Sequence, residues 1–311
     1  MAETLKIGAR GSPLSLAQTG LVAQALKAAS PGLNVEIVPI KTTGDRILDL
    51  PLAKIGGKGL FVKEIEEALL AGDIDLAVHS AKDLPANLPE GLSLGATPAR
   101  ADFRDVLITA APGGLEVLPA GSRIGTSGLR RKAQLLARRP DLEIKPIRGN
   151  LETRLKKIGT EVEAVLLAAA GLDRLGLAPS QAVTLAPEEM LPAAGQGVLA
   201  LEIRQDDART AELLRPLHHE PTDLALAAER GFLAFWGGGC QLPAAALAEI
   251  EDGRLGLRAL IADPNGRRIL TGRKIGPARA TPLEAAALGR DLAAELAANG
   301  GAEIMREVLG P

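Results

Sequence analysis

Cationic side chains recur in this chain where a strand gives way to a helix. Arg10-Gly11-Ser12-Pro13 is the first such junction, and Gly125-Thr126-Ser127-Gly128-Leu129-Arg130-Arg131 repeats its design. Exposed amides at a helix N-terminus beside an arginine make an anion site. One such junction is ordinarily a turn with a solvated arginine; two in matching positions point to function. Arg148-Gly149-Asn150 through Arg154 sets two more arginines around a strand end and a helix start, and Arg174 follows the next strand. Arg138-Arg139, before Pro140, reads instead as solvated charge favoured by a helix dipole. In His79-Ser80-Ala81-Lys82-Asp83-Leu84-Pro85 a lysine adjoins an aspartate at a strand's carboxyl end. That pairing suits acid–base chemistry, and its bland alternative is a surface ion pair. His79 alone reads more readily as a structural histidine. The single cysteine, Cys240, stands in Gly237-Gly238-Gly239-Cys240-Gln241-Leu242-Pro243. Most free cysteines are buried and inert, whereas a glycine-rich loop exposes the sulfur to a bulky adduct. No second cysteine offers a redox pair, and no cluster has zinc-ligand spacing. Lys54-Ile55-Gly56-Gly57-Lys58-Gly59 lacks the P-loop pattern; with Gly44 it predicts a mobile flap over about 43–59.

The elements that must hold these groups alternate. Leu5–Ala9 reads as a strand, and Ser12 with Pro13 signals a helix start. Leu14, Ala17, Leu21 and Ala25 then follow at helical spacing. Val35–Ile40 is the next strand, Phe61–Ala71 a helix and Ile74–Val78 a strand, an order that argues for a mainly parallel sheet flanked by helices. The pattern restarts near residue 103. It gives a strand at Arg123–Gly125, a helix from Gly128 to Arg138, a strand at Leu142–Ile147, a helix capped by Asn150, and a strand at Val162–Ala168. The fold class is therefore α/β with two similar lobes. Lobe 1 comprises residues 1–98 with 198–217, and lobe 2 comprises 103–192. Residues 98–102 and 192–197 cross between them, and two crossings predict a hinged cleft, a favoured place for ligands. Residues 220–311 read as a small C-terminal α+β domain. It has a helix over 222–235, strands at 244–250, 255–262 and 268–275, and helices over 283–298 and 302–309.

Composition narrows the classes. Lys and Arg number 36 against 38 Asp and Glu, and there is no Tyr, one Trp and four Phe. A nucleic-acid binder is expected to show a basic excess and aromatic platforms, so no nucleic-acid partner is expected. No run approaches the ~18 apolar residues of a membrane span, and the N-terminal residues do not resemble a signal peptide. A cytoplasmic location is expected, with no membrane partner and no metal. Two rivals to a lobed enzyme stay open at this point. A solute-binding module would explain the arginines but not the cysteine loop. A cysteine hydrolase would need a base, and the nearest histidines in sequence are His218 and His219.

Four motifs in order carry a more specific reading: Ala77–Pro85, Gly125–Arg131, Leu191-Pro192-Ala193-Ala194-Gly195-Gln196-Gly197, and Gly238-Gly239-Cys240-Gln241. With them the chain resembles the hydroxymethylbilane synthase (porphobilinogen deaminase) family over almost its whole length. The resemblance implies two periplasmic-binding-protein-like lobes with mainly parallel five-stranded sheets, plus the small third domain, in a monomer. It implies condensation of four porphobilinogen molecules with loss of ammonia, then hydrolysis to hydroxymethylbilane. It also implies a covalent dipyrromethane cofactor on Cys240 and a catalytic Asp83. The cofactor's other contacts fall on Lys82, Asp83, Thr126, Ser127, Arg130, Arg131, Arg148 and Arg154. Substrate contacts fall on Arg10, Ser12, Lys58, Ser80, Arg148, Arg174 and Gln196. Six pyrrole rings, each with an acetate and a propionate, bring twelve carboxylates, and arginine forks suit carboxylates best. Loss of ammonia leaves a cationic azafulvene that a carboxylate would stabilise. Two positions depart from the family pattern. Gly128 stands where a serine is usual, and Phe235-Trp236-Gly237 stands where a leucine and a charged residue are expected.

Overall fold

A computed structural model describes residues 4–46, 62–110, 112–238, 242–277 and 279–309. The chain divides into two compact units, Met1–Ala101 with Val198–Asp223, and Asp102–Gly197 with Leu224–Pro311.

The chain opens with β1 (Thr4–Arg10), α1 (Pro13–Ala29) and β2 (Asn34–Ile40). Ser12 caps α1 as its sequence predicts, accepting from the Ser15 amide at 3.3 Å, with Pro13 in the first turn. Then come α2 (Lys63–Ala71), β3 (Leu76–Ser80) and β4 (Leu92–Ala96). The next elements are β5 (Asp105–Thr109), β6 (Arg123–Gly125), α3 (Leu129–Arg138), β7 (Glu143–Lys145) and α4 (Leu151–Leu155). They are followed by β8 (Ala164–Ala168), α5 (Ala169–Arg174), β9 (Ala182–Thr184) and β10 (Leu199–Arg204). Expected strand 142–147 is shorter than its sequence suggests, because Pro146 has no N–H for the ladder. Pro39 is tolerated inside β2 because β2 lies at a sheet edge.

The first unit holds a five-stranded sheet in the order β2-β1-β3-β10-β4. β1 runs parallel to β2 and β3, and β10 is antiparallel to both β3 and β4. Four strands thus share a direction and β10 opposes them. The second unit repeats this arrangement as β7-β6-β8-β5-β9. There β5 is the reversed strand, antiparallel to β8 and β9, while β6 is parallel to β7 and β8. Each reversed strand follows a crossing segment in sequence, and it occupies the fourth position in both sheets. The loops Arg10–Ser12 and Thr126–Gly128 therefore fall at equivalent places, after the second strand of each sheet. Apolar side chains cover both faces of each sheet. Leu5, Ile7, Val22 and Leu26 do so on one face of the first, and Ile65, Leu69 and Ile74 on the other.

The C-terminal part of the second unit follows α6 (Ala208–Leu214) and α7 (Glu220–Phe235). It is an antiparallel sheet of β11 (Ala244–Glu251), β12 (Arg254–Ala262) and β13 (Ile269–Ile275), with α8 (Pro282–Leu296) and α9 (Ala302–Leu309). Phe232, Leu292 and Leu296 join its core. The backbones of α7 and α8 meet at two glycines. A Cβ on Gly231 would stand 2.2 Å from the Ala286 carbonyl oxygen, and one on Gly289 would stand 2.1 Å from that of Ala228. This contact fixes the C-terminal end of α7, which leads into the cysteine segment. Gly237 and Gly238 then take left-handed conformations (φ 83° and 65°) and end the helix, with the Gly238 amide donating to Leu233 O at 2.9 Å. Two of the loop's glycines thus meet a backbone demand of the helix terminus.

Candidate functional site

In the first unit the adjacent parallel strands β1 and β3 end side by side, which brings Arg10 and Ser80 to one sheet edge. Arg10, Ser12, Ser80 and Asp83 line a single cavity, together with Gln18 from α1 and His79. Asp83 closes a 3₁₀ turn, Ala81–Asp83, directly after β3. The reversed strand anchors that turn, since the Ala81 amide donates to Val198 O at 3.0 Å. Gln18 Nε2 donates to Ser80 Oγ at 2.9 Å and ties the turn to α1. Asp83 is solvent-exposed and Lys82 half-buried. The cavity therefore combines an accessible carboxylate with a guanidinium and hydroxyls, able to hold acidic groups while offering one base.

His79 points away from solvent and bonds Glu202 through Nε2 at 2.9 Å. This is the structural histidine expected from the sequence, but its acidic partner is 123 residues away and carried no signal. Glu66 lies in the same interior. Burial, then the nearby Glu202 charge, raises its carboxyl to about 7, with His79 opposing.

In the second unit an unanticipated residue, Asp105, organises the site. It is the first residue of β5, so the reversed strand delivers it to the edge where β6 and β8 end. Its carboxylate is fully buried. Arg130 donates to Oδ2 at 2.7 Å, Arg131 to Oδ1 at 2.7 Å, and Gln196 Nε2 to Oδ1 at 2.9 Å. Arg130 also reaches Leu191 O, Arg131 reaches Leu166 O, and Gln196 reaches Phe103 O. Burial would raise the Asp105 carboxyl, but the two guanidiniums outweigh it and hold it below the ordinary carboxylate range. Arg130, Arg131 and Gln196, three sequence-predicted residues, are thus drawn together.

Thr126 is buried and accepts from the Gly128 amide at 3.4 Å, while Ser127 Oγ donates to Ile147 O at 2.5 Å, next to Arg148. Gly128 is the N-cap of α3 and provides no side-chain acceptor there. Asn150 caps α4, accepting from the Thr153 amide at 2.8 Å, and Arg154 Nε donates to Gly149 O. Arg174 ends α5, and its guanidinium donates to Gly197 O at 2.7 Å, beside Gln196. Burial lowers its proton affinity, opposed by Asp173. A partly dehydrated guanidinium held by a carbonyl attracts an anion. Arg139, by contrast, donates to Leu115 O and Leu118 O and pairs with Asp141, a more built-in role than solvated charge. His219 Nδ1 lies 2.8 Å from Thr222 Oγ1. Cys240 and Lys58 lie outside the described residues, as does 47–59 of the expected flap.

Among the described residues no helix is long and apolar enough to cross a membrane. The family model "Porphobilinogen deaminase, dipyromethane cofactor binding domain" matches residues 5–212, and "Porphobilinogen deaminase, C-terminal domain" matches 224–298. A protein of Syntrophobacter fumaroxidans (strain DSM 10017 / MPOB) named porphobilinogen deaminase is 49% identical over 306 residues, covering 98% of this chain and 97% of its own. One of the same name from Nitratidesulfovibrio vulgaris (strain DSM 19637 / Miyazaki F) is 48% identical over 308 residues, with the same coverage. Among solved structures, an ancestral cationic amino acid solute binding protein matches 69% of this chain and 87% of its own, at 14% identity and a TM-score of 0.45.

Proposed function

The chain belongs to the porphobilinogen deaminase family, and we infer that it condenses four porphobilinogen molecules head to tail and, by adding water to the bound chain, releases hydroxymethylbilane. In each condensation the aminomethyl C–N bond breaks and ammonia leaves with the bonding pair. A new C–C bond then forms to a pyrrole α-carbon, and that carbon's proton departs. Asp83 is the group that faces the cation left by ammonia and that takes up and returns the proton at its carboxylate oxygens. The observation that carries this reading is the shared cavity of Asp83, Arg10, Ser12 and Ser80. A fixed carboxylate at a developing cation is worth several kcal/mol, on the order of 3–4 in comparable cases. Arg10, Ser12, Ser80, Lys58, Arg148, Arg174 and Gln196 bind substrate carboxylates and ring polar groups.

The donor set of the second unit fits a dipyrromethane. Two pyrrole rings carry four carboxylates, and Arg174, dehydrated and held by a carbonyl, marks that edge as one built for anions. Thr126, Ser127, Arg130, Arg131, Arg148 and Arg154 would hold the group from this unit, Lys82 and Asp83 would contact it, and Cys240 would anchor it by thioether. When bound it supplies the nucleophilic pyrrole carbon to which the first substrate unit is joined. The same reading makes the protein a cytoplasmic monomer.

Intact mass of the purified protein tests this. It should exceed the chain mass by two condensed pyrrole units, and Cys240→Ser should lack both the increment and the colour reaction with Ehrlich's reagent. An active wild-type protein without the increment, or with it on another residue, contradicts the reading.

A further inference from the structure

We propose that Glu66, His79 and Glu202 form a buried proton store behind the cavity that contains Asp83, acting on the site as positioning residues through His79. The proposal rests on the reading of Asp83 as the proton-handling group. Its foundation is the packing of three elements. In the β3–β10 pair His79 lies opposite Ala200 and Glu202 opposite Ala77. Alternate residues of paired strands share a face, so His79 and Glu202 project on one side of the sheet. There α2 covers them with Ile65 and Leu69, and with Glu66 between. His79 Nε2 meets Glu202 Oε2 at 2.9 Å. Glu202 is fully buried, His79 5% exposed and Glu66 7% exposed.

The remaining oxygens define the chemistry. Glu202 Oε1 and Glu66 Oε1 are both buried and, among the described residues, without a hydrogen-bond partner. Two carboxylates in a dry interior cannot both ionise cheaply opposite a single imidazole. A proton on Glu66 relieves the repulsion, and burial with the Glu202 charge accordingly pushes Glu66 up to about 7. The neighbouring charges do not neutralise the pair. Glu67, also on α2, is exposed and faces Lys63 at 3.7 Å. Arg204, two residues beyond Glu202, is bound to Leu69 O, Ile74 O, Asp75 and Asp207. Among the described residues no group of His, Cys, Asp or Glu is arranged to hold a metal ion.

His79 connects the store to the site. It lines the same cavity as Asp83, Ser80 and Arg10 and directly precedes the Ser80–Asp83 turn. Charge change in so dry a neighbourhood is felt across several ångströms. Loss of the stored proton adds negative charge behind Asp83.

Glu66→Gln tests this, because it keeps size and removes the titration. Glu66→Asp keeps the titration and should retain wild-type pH dependence. The first readout uses no substrate: denaturant stability of the holoenzymes from pH 5 to 8. A carboxyl with raised proton affinity in the folded state stabilises fully below its unfolded pKa, and the benefit is lost as pH rises through about 7. Glu66→Gln should therefore gain stability relative to wild type across that range. A flat difference overturns the proton store, whatever the fate of Asp83. The second readout is kcat/KM against pH at equal cofactor content by mass. The wild-type inflection near neutrality should move by about half a unit or more in Glu66→Gln and stay in Glu66→Asp. Profiles that are parallel, differing only by a constant factor, overturn the link to the site. Asp83→Asn, assayed separately, decides the underlying reading.

Discussion

Asp105 and Arg130 are joined by a 2.7 Å hydrogen bond, with the acid fully buried and the arginine 6% exposed. The same carboxylate holds Arg131 and Gln196. One acid thus orients two adjacent guanidinium forks and an amide at the ligand edge of the second sheet. Removing its charge strands two dehydrated cations. Asp105→Asn should lose about 3–5 kcal/mol of stability, the usual cost of breaking a buried pair from one side. The folded fraction should also be poor in cofactor. Denaturant unfolding and intact mass check the two effects. Asp105→Asn with wild-type stability would show that the pairing is dispensable.

Arg174 should behave in the opposite way. Its guanidinium donates to a carbonyl, Gly197 O, and burial disfavours its charge. Arg174→Met should leave apoprotein stability within about 1 kcal/mol of wild type, because a dehydrated cation is removed rather than a partner stranded. Turnover should fall, with enzyme–substrate species accumulating as successive mass increments. Loss of fold without such increments would make Arg174 a structural residue.

Gly128 offers a gain. It caps α3 with φ −85°, and a Cβ there meets nothing within 4 Å. A serine can take that conformation and accept from the first-turn amides. Gly128→Ser should stabilise by a few tenths of a kcal/mol, read as a small rise in Tm. A fall would show that the serine hydroxyl finds no helix amide here.

Legibility in the sequence followed the range of each signal. Ser12-Pro13 and Asn150 announced helix starts because capping acts within three residues, and both caps form. The matching junctions at Arg10 and Arg130 were visible because each sheet is built from the same local strand–helix step. Strands β4, β5 and β9 carry no clear alternation and no adjoining helix-start signal in the sequence. Asp105 was invisible for a different reason: its partners lie 25, 26 and 91 residues away, and a lone aspartate opening an apolar strand has no periodic mark. Glu66 and Glu202 were missed likewise, since only strand reversal and helix packing bring them to His79. Arg130 and Arg131 looked like ligands waiting for an anion; that a protein carboxylate already holds them is a tertiary fact.

The central claim is that Asp83 carries the chemistry. Asn is nearly isosteric, so Asp83→Asn should keep the fold and the cofactor. It can still accept a pyrrole N–H through its carbonyl, but it offers neither a negative charge nor a proton acceptor. Asp83→Glu, which keeps the charge one methylene away, should suffer less. The direct measurement is steady-state formation of hydroxymethylbilane by Asp83→Asn enzyme shown by mass to be fully loaded with cofactor. Loss of nearly all turnover is predicted, on the order of a hundredfold or more. A rate above about a tenth of wild type, equivalent to only ~1.4 kcal/mol, would contradict the account.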